Sequence, residues 1–188
     1  DWGVVLKLGR ELLEKETKDL QLAAWLTEAL LKREGLSGFA TGTRVLFGIM
    51  DGFWETCYPA WDEEDPEMRA GPLDWVGTKF DILVRQVPIA PGAFTFLDYQ
   101  VSRTVPTEAE TESNKDKRAL RTTALAEGKP SPESVDKAIA ESGKAFYKAL
   151  VADTDAALAA LMELEKGADA RFGRDAPSFI KLHGSLDD

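Results

Sequence analysis

The sequence predicts an all-α fold, a multi-helix bundle of antiparallel helices. Apolar residues recur at spacings of three and four along most of the chain. Residues that cap helices stand before several of these stretches, and no two convincing strands alternate with turns. With 188 residues, 44% of them apolar, the chain can bury a core. We expect one helical domain over 1–188, with core helices in 1–103, a solvated charged linker or mobile loop in 104–130, and C-terminal helices in 131–188.

The first three helices are predicted from their apolar faces. The first helix carries its face at Trp2, Val5, Leu6, Gly9, Leu12 and Leu13. The second starts near Lys18, directs Trp25 and its apolar neighbours to the core, and stops at Gly35. Ser37 can cap the third, whose stripe is Leu46, Ile49, Met50, Phe53, Trp54 and Cys57. Pro59 then prevents its continuation.

The fourth helix is predicted from its start signal. Asp65 is suited to the N-cap and Pro66 to the first helical position. Pro72 should kink this helix or delay its start. Its inward residues would be Met68, Leu73, Val76, Phe80, Leu83 and Val87.

Residues 87–92 form a break by composition, after which Thr95 and Asp98 make a capping box for a short helix. Beyond 104–130, Ser131 and Ser142 are predicted caps of two more helices, the second long and rich in alanine. A turn over 171–178 leads to a last helix opened by Pro177. We expect Leu46, Ile49, Phe53, Trp54 and Leu150 to be buried.

Charge and cysteine content exclude several classes of function. The 33 acidic and 23 basic residues give a net charge of −10, which argues against nucleic acid as a partner. No apolar run approaches the roughly 20 residues of a membrane span, so we expect no direct membrane insertion. Cys57 is the only cysteine, which excludes an intrachain disulfide and fits a cytoplasmic location.

The stretch "WETCYPAWDEEDPEMR" (54–69) concentrates acids and aromatics. The acids stand at the start of a predicted helix, where free N–H groups and the helix dipole stabilise negative charge. The stretch lacks the glycine and terminal glutamate of a calcium loop, and the chain has no Glu-x-x-His pair. We therefore expect no metal at Glu63, Glu64, Asp65 or Glu67. The alternative is a contact with an ion or a basic partner, made by Trp61, Glu63 and Glu64 with Trp61 as an exposed anchor.

No other motif predicts catalysis or a cofactor. His183 has no acid at local spacing that could orient it, and Cys57 lies on an apolar stripe. The spacings Gly38-xxx-Gly42 and Gly48-xxx-Gly52 indicate close helix crossing inside a bundle. An enzyme built from the acids and His183 would require these groups to converge in one pocket.

Several motifs together resemble the ImpA N-terminal domain family of bacterial type VI secretion (TssA-like) proteins. They are Lys18-Asp19-Leu20; Trp25-Leu26-Thr27-Glu28-Ala29-Leu30-Leu31; Gly35 and Gly38; Trp54 and Pro59; and Asp65-Pro66 with Arg69. The match is strong over 1–86 and looser over 131–188, where "RFGRDAPSF" (171–179) is similar to the family's ending. The chain has Ala70-Gly71-Pro72 where family members often have Asn-Ala after the arginine.

The resemblance implies a non-catalytic adaptor that helps assemble the baseplate and the tail tube and sheath through protein–protein contacts. The sibling TagA-like group would instead stabilise the extended sheath, and a helical scaffold unrelated to secretion is a further alternative. The family's C-terminal part, which forms rings in many members, would make the full-length protein a homo-oligomer. We expect the signature residues to be structural: Trp25, Gly35, Gly38, Trp54, Pro59, Asp65, Pro66 and Arg69.

Overall fold

The computed structural model describes residues 1–91 and 94–188. Within them the chain forms α-helices, one short 3-10 turn (Gly173–Asp175) and no strands. The helices are α1 (Trp2–Lys15), α2 (Leu20–Gly52), α3 (Glu67–Arg85), α4 (Phe96–Ser102), α5 (Glu108–Glu112), α6 (Lys115–Ala126), α7 (Pro132–Glu141), α8 (Lys144–Phe172) and α9 (Ile180–Asp187). The all-α prediction is confirmed. The break predicted at 87–92 follows the end of α3, and its last residue, Gly92, lies outside the described part.

Contacts group the chain into two compact units, residues 1–84 with 151–188 and residues 85–150. That the whole chain is one domain stays a prediction. None of the described helices is both long and apolar enough to cross a membrane.

Helix α2 is a hairpin of two arms that turn at Gly35. Gly35 has φ 65° and ψ −147°, a conformation open to glycine and strained for other residues. The second arm folds back so closely that a Cβ on Gly38 would lie 2.3 Å from the carbonyl oxygen of Leu30. A Cβ on Gly42 would lie 2.6 Å from the Cα of Thr27. The predicted helix stop at Gly35 is confirmed. The predicted close crossing is confirmed at Gly38 and Gly42.

The core of the first unit lies between the arms of α2, α3, the second half of α8, and α9. Its fully buried large residues include Phe39, Leu46, Leu73, Phe80, Leu161, Leu164, Phe179 and Leu182. Leu46, Ile49 and Trp54 are buried as predicted. Phe53 is not, because it caps the C-terminus of α2 and leaves its ring 43% exposed. Leu150, in the second unit, is only half-buried.

Other core predictions fail because the apolar faces are wider than the contacts that cover them. Trp25 is 51% exposed, and Met68, at the start of α3, is exposed too. In α1, Gly9 and Leu13 are buried, whereas Trp2 and Leu12 remain exposed.

Two of the predicted serine caps are absent. The Ser37 hydroxyl donates to the carbonyl of Glu34 within α2, and the Ser142 hydroxyl donates to the carbonyl of Ala138 at the end of α7. Ser131 does cap α7, accepting from the N–H of Ser134, and Thr95 with Asp98 forms the predicted capping box on α4. α9 begins at Ile180, three residues after Pro177.

Residues 104–130 are not a loop, which corrects the linker prediction. They contain α5 and α6, although most of their side chains are solvated. Thr107 and Glu110 form a capping box on α5, and Asn114 accepts from two amides at the start of α6. The half-buried Arg121 donates to the Pro106 carbonyl at 2.6 Å and to Glu133 at 2.9 Å. Caps and ion pairs therefore order a segment that has little apolar surface to bury.

Candidate partner-binding loop

The connection from α2 to α3 is held by backbone hydrogen bonds at its first part. After α2 ends, the amides of Thr56 and Cys57 both donate to the carbonyl of Phe53, which makes a tight turn. The Tyr58 amide donates to Lys18, and the Tyr58 carbonyl accepts from Leu20 at 2.8 Å. Asp19 caps α2 by accepting from Leu22. The Lys18–Leu20 motif and the connection are thus joined directly.

The buried side chain of Arg69 binds the backbone of this connection. Arg69 is 1% exposed, and its guanidinium donates to three backbone carbonyls, those of Pro59 at 2.7 Å, Trp54 at 2.6 Å and Cys57 at 3.0 Å. Burial lowers the pKa of Arg69 from its ordinary value, because the charged form loses water. The three carbonyls replace that lost hydration and fix the path of residues 54–59.

An aromatic cluster closes over this arginine. The Trp54 and Trp61 ring centroids lie 5.0 Å apart, and the Phe172 ring from the end of α8 meets both edge-on. The Arg69 guanidinium lies 4.6 Å from the Trp54 ring and 5.7 Å from the Trp61 ring. These distances fit cation–π contacts. Trp61 is consequently half-buried, which corrects its interpretation as a freely exposed anchor.

The acid loop, residues 62–66, projects from this cluster. Asp62, Glu63, Glu64 and Asp65 are exposed, as is Glu67 in the first turn of α3. Only Asp62 among these carboxylates has a hydrogen bond in the described structure, accepting from the Glu64 amide at 2.9 Å. Among the described residues, no three His, Cys, Asp or Glu side chains are placed to hold a metal ion. The loop therefore offers exposed carboxylates, most of them without a hydrogen bond to the described chain.

Asp65 does not cap α3, contrary to prediction. The amides of Arg69 and Ala70 donate to the carbonyl of Pro66, so the helix begins one residue later than the motif suggested. No hydrogen bond joins the Asp65 carboxylate to the described residues of this helix. α3 then runs through Pro72, so Pro72 does not delay its start.

Cys57 and His183 lie in different parts of the first unit and have different neighbours. The Cys57 thiol is buried beneath the connection, and burial raises its pKa, which disfavours the nucleophilic thiolate. His183 on α9 lies 2.9 Å from Glu165 on α8, a partner 18 residues away that local spacing could not reveal. This contact joins two helices of the first unit.

Comparison with known proteins gives the family of the chain. A family model described as ImpA, N-terminal, type VI secretion system, matches residues 1–78, which include the acid loop and Arg69. A solved structure, the N-terminal domain including the conserved ImpA_N region of the TssA component of the type VI secretion system from Burkholderia cenocepacia, is 36% identical with a TM-score of 0.89. The match covers 100% of this chain and 74% of that one.

The chain belongs to the ImpA N-terminal family of type VI secretion proteins. A comparison with curated protein sequences gave no match. The membership sets aside the alternative of a helical scaffold unrelated to secretion. Among the residues on which the sequence resemblance rests, Gly35 and Gly38 build the α2 hairpin, and Trp54, Pro59 and Arg69 build the base of the acid loop.

Proposed function

We propose that this chain is the N-terminal module of a cytoplasmic, non-catalytic adaptor that helps assemble the baseplate and the tail tube and sheath of a type VI secretion system. Membership of the ImpA N-terminal family supports a role in type VI secretion. The exposed carboxylates of the acid loop support binding through charge. The observation that carries the proposal is a set of exposed carboxylates in the short loop between α3 and residues 54–59, whose path Arg69 fixes. A short loop held at both ends loses less conformational entropy on binding than a free segment does.

The partner surface for this loop is basic. Glu63 and Glu64 supply the charge, and the half-buried Trp61 supplies apolar contact beside it. Tyr58 and Met68, which are 57% and 60% exposed, precede and follow the loop and extend the apolar contact. Charge alone mainly raises the association rate, whereas aromatic and methionine side chains shielded from water slow dissociation.

The binding test uses the full-length parent and separately purified baseplate, sheath, tube and membrane-complex components. The double variant Glu63→Lys/Glu64→Lys should weaken binding to one component at least tenfold. The control Glu163→Lys/Asp169→Lys makes the same charge change at two exposed positions of α8 and should bind as the wild type does. Equal loss in both variants, or in neither, would refute the loop as the binding site.

The machine is tested in cells with fluorescently labelled sheath. Deletion of the parent gene should reduce the frequency of sheath assembly, whereas a sheath-stabilising role would shorten the lifetime of extended sheaths that still assemble. Normal frequency, length and lifetime would contradict the assignment.

A further inference from the structure

Helix α1 carries a second apolar surface, formed by Val4, Leu8 and Leu12. These three residues are spaced by four and lie in one stripe along the helix. They are 52%, 50% and 40% exposed, although α1 packs on α2 through Gly9 and Leu13. Single exposed leucines need no explanation, but a row of three on one helix is a typical helix-docking surface.

The first arm of α2 also carries an exposed apolar side chain on the side where the stripe lies. Arg10 forms an ion pair with Glu34 at 3.6 Å, which marks one side of the contact between α1 and the first arm of α2. Helical phase places Trp25, 51% exposed, on the opposite side of that arm, the side next to the stripe. Trp25 therefore adds an exposed aromatic side chain on the same side of the α1–α2 contact as the stripe.

The stripe and its charged flank are self-complementary. Val4 and Leu12 are equidistant from Leu8. If an antiparallel copy of α1 crosses at Leu8, Val4 of each copy lies opposite Leu12 of the other copy. Lys7 and Glu11 lie on the flank away from α2, and an antiparallel two-fold arrangement brings this flank against its own equivalent. Lys7 then stands within about two residues, roughly 3 Å of helical rise, of the level of Glu11 in the second copy.

We propose that the stripe Val4–Leu8–Leu12 is a homodimer interface, in which α1 of one copy packs antiparallel on α1 of a second copy about a two-fold axis at Leu8. Two apolar pairs and a central leucine pair form the seam. Lys7 and Glu11 form two ion pairs between copies; Lys7 has no ion pair within the described chain, and Glu11 pairs only with the exposed Lys15. The match of Lys7 with Glu11 of a second copy favours this chain itself as the partner.

The interface is small, so the dimer is weak in the isolated chain. Stable interfaces bury about 800 Å² on each partner, more than one helix stripe supplies, which places the dissociation constant on the order of 100 µM or above. Such an interface acts when another contact, such as assembly of a full-length oligomer, raises the local concentration.

Cysteine cross-linking tests the geometry directly. Leu8→Cys should form a disulfide with its own copy under mild oxidation, because residue 8 faces residue 8. Leu120→Cys, at a leucine of α6 that is more exposed (63% against 50%), should not, and the buried Cys57 gives the background in the wild type. A mixture of Val4→Cys and Leu12→Cys chains should cross-link, whereas each alone should not. A parallel pair would reverse that last result and overturn the proposal.

Sedimentation over a concentration range tests the energetics. Leu8→Glu should weaken dimerisation at least tenfold and Leu120→Glu should leave it unchanged, with circular dichroism confirming that both variants fold. Lys7→Glu should weaken it, and Lys7→Glu/Glu11→Lys should restore it. A wild-type chain that is monomeric at millimolar concentration, or cross-linking of Leu8→Cys no faster than of Leu120→Cys, would refute the interface.

Discussion

Arg69 carries a buried positive charge that is met by carbonyl oxygens and ring faces. Three backbone carbonyls accept its hydrogen bonds, and two tryptophan rings lie over its guanidinium. Each carbonyl would lose a charge-assisted hydrogen bond if the side chain were removed, and buried acceptors without partners are costly. The residue therefore links the local shape of the acid loop to the stability of the fold.

Replacement of Arg69 by methionine should lower the free energy of unfolding by about 2–4 kcal/mol, since three acceptors are left unsatisfied. Arg69→Lys should also destabilise, because one ammonium group cannot span three divergent carbonyls. Urea unfolding followed by tryptophan fluorescence measures both. The exposed Arg174→Met is the control and should change stability by less than about 0.5 kcal/mol. A loss no larger than that of the control would show that the network is dispensable.

Met68 was predicted to point inward in α3, whereas the structure buries Arg69 and exposes Met68. The sequence does carry a signal for this, because Arg69 shares a helical face with Leu73, Val76 and Phe80. A charged residue on an apolar face signals a buried polar contact. Which carbonyls it meets depends on how residues 54–59 turn, and that turn is fixed by contacts with Lys18 and Leu20, far away in sequence.

At the scale of the helices, two glycines of α2 differ in the space around their Cβ positions. Gly38→Ala would place a methyl group against the backbone of Leu30, which can move only if the two arms separate. Gly48, further along the same arm, has open space around its Cβ position.

Gly38→Ala should therefore destabilise by about 1–3 kcal/mol, as overpacking does. Gly48→Ala should stabilise by up to about 1 kcal/mol, since alanine favours the helix. Thermal and urea unfolding of the two variants measure both changes in stability. Effects of the same sign and size would contradict the close crossing.

The α5–α6 pair gives a prediction about pH. Hydrogen bonds from Lys117 and from the Thr107 amide lower the pKa of Glu110 from 4.5 to about 2. Because the pKa is lower in the folded chain, the contribution is complete above pH 4.5 and is lost as pH falls towards 2. Hydrogen exchange of the α5 and α6 amides should accelerate over that range, most clearly at low salt because the pair is exposed.

Glu110→Gln should remove most of this pH dependence, since glutamine cannot titrate. Glu112→Gln is the control, because its side chain makes no hydrogen bond or ion pair in the described structure. Unchanged pH dependence in Glu110→Gln would assign the effect to other groups.

The sequence predicted where helices begin and end more reliably than it predicted which side chains are covered. The Gly35 turn, the Thr95 cap and the long α8 were predicted because each depends on local chemistry. The α5–α6 pair was not predicted because the segment has few apolar residues, although it carries the Thr107–Glu110 capping box. The exposure of Trp25 and Phe53 could not be predicted, since helical periodicity shows which residues share a face but not how much of that face is covered.

At the scale of the molecule, a net charge of −10 acts over distances that single contacts do not reach. Such a field raises the rate of encounter with a basic partner, and salt weakens it because the Debye length is about 8 Å at physiological ionic strength. Dissociation depends instead on contacts already shielded from water, and salt affects it less. The acid loop concentrates this charge where the proposed binding occurs.

Association of the full-length parent with its basic partner should therefore slow at least about tenfold between 50 mM and 500 mM salt, with a smaller change in dissociation rate. Surface plasmon resonance gives both rates. Glu63→Lys/Glu64→Lys should bind more slowly at low salt and show a shallower salt dependence, because local charge near the contact contributes most to steering. The control Glu163→Lys/Asp169→Lys alters net charge equally and should keep most of the dependence. If both variants lose the same fraction, the net charge rather than the acid loop steers the encounter. An association rate that salt does not change would show that the partner surface is not basic.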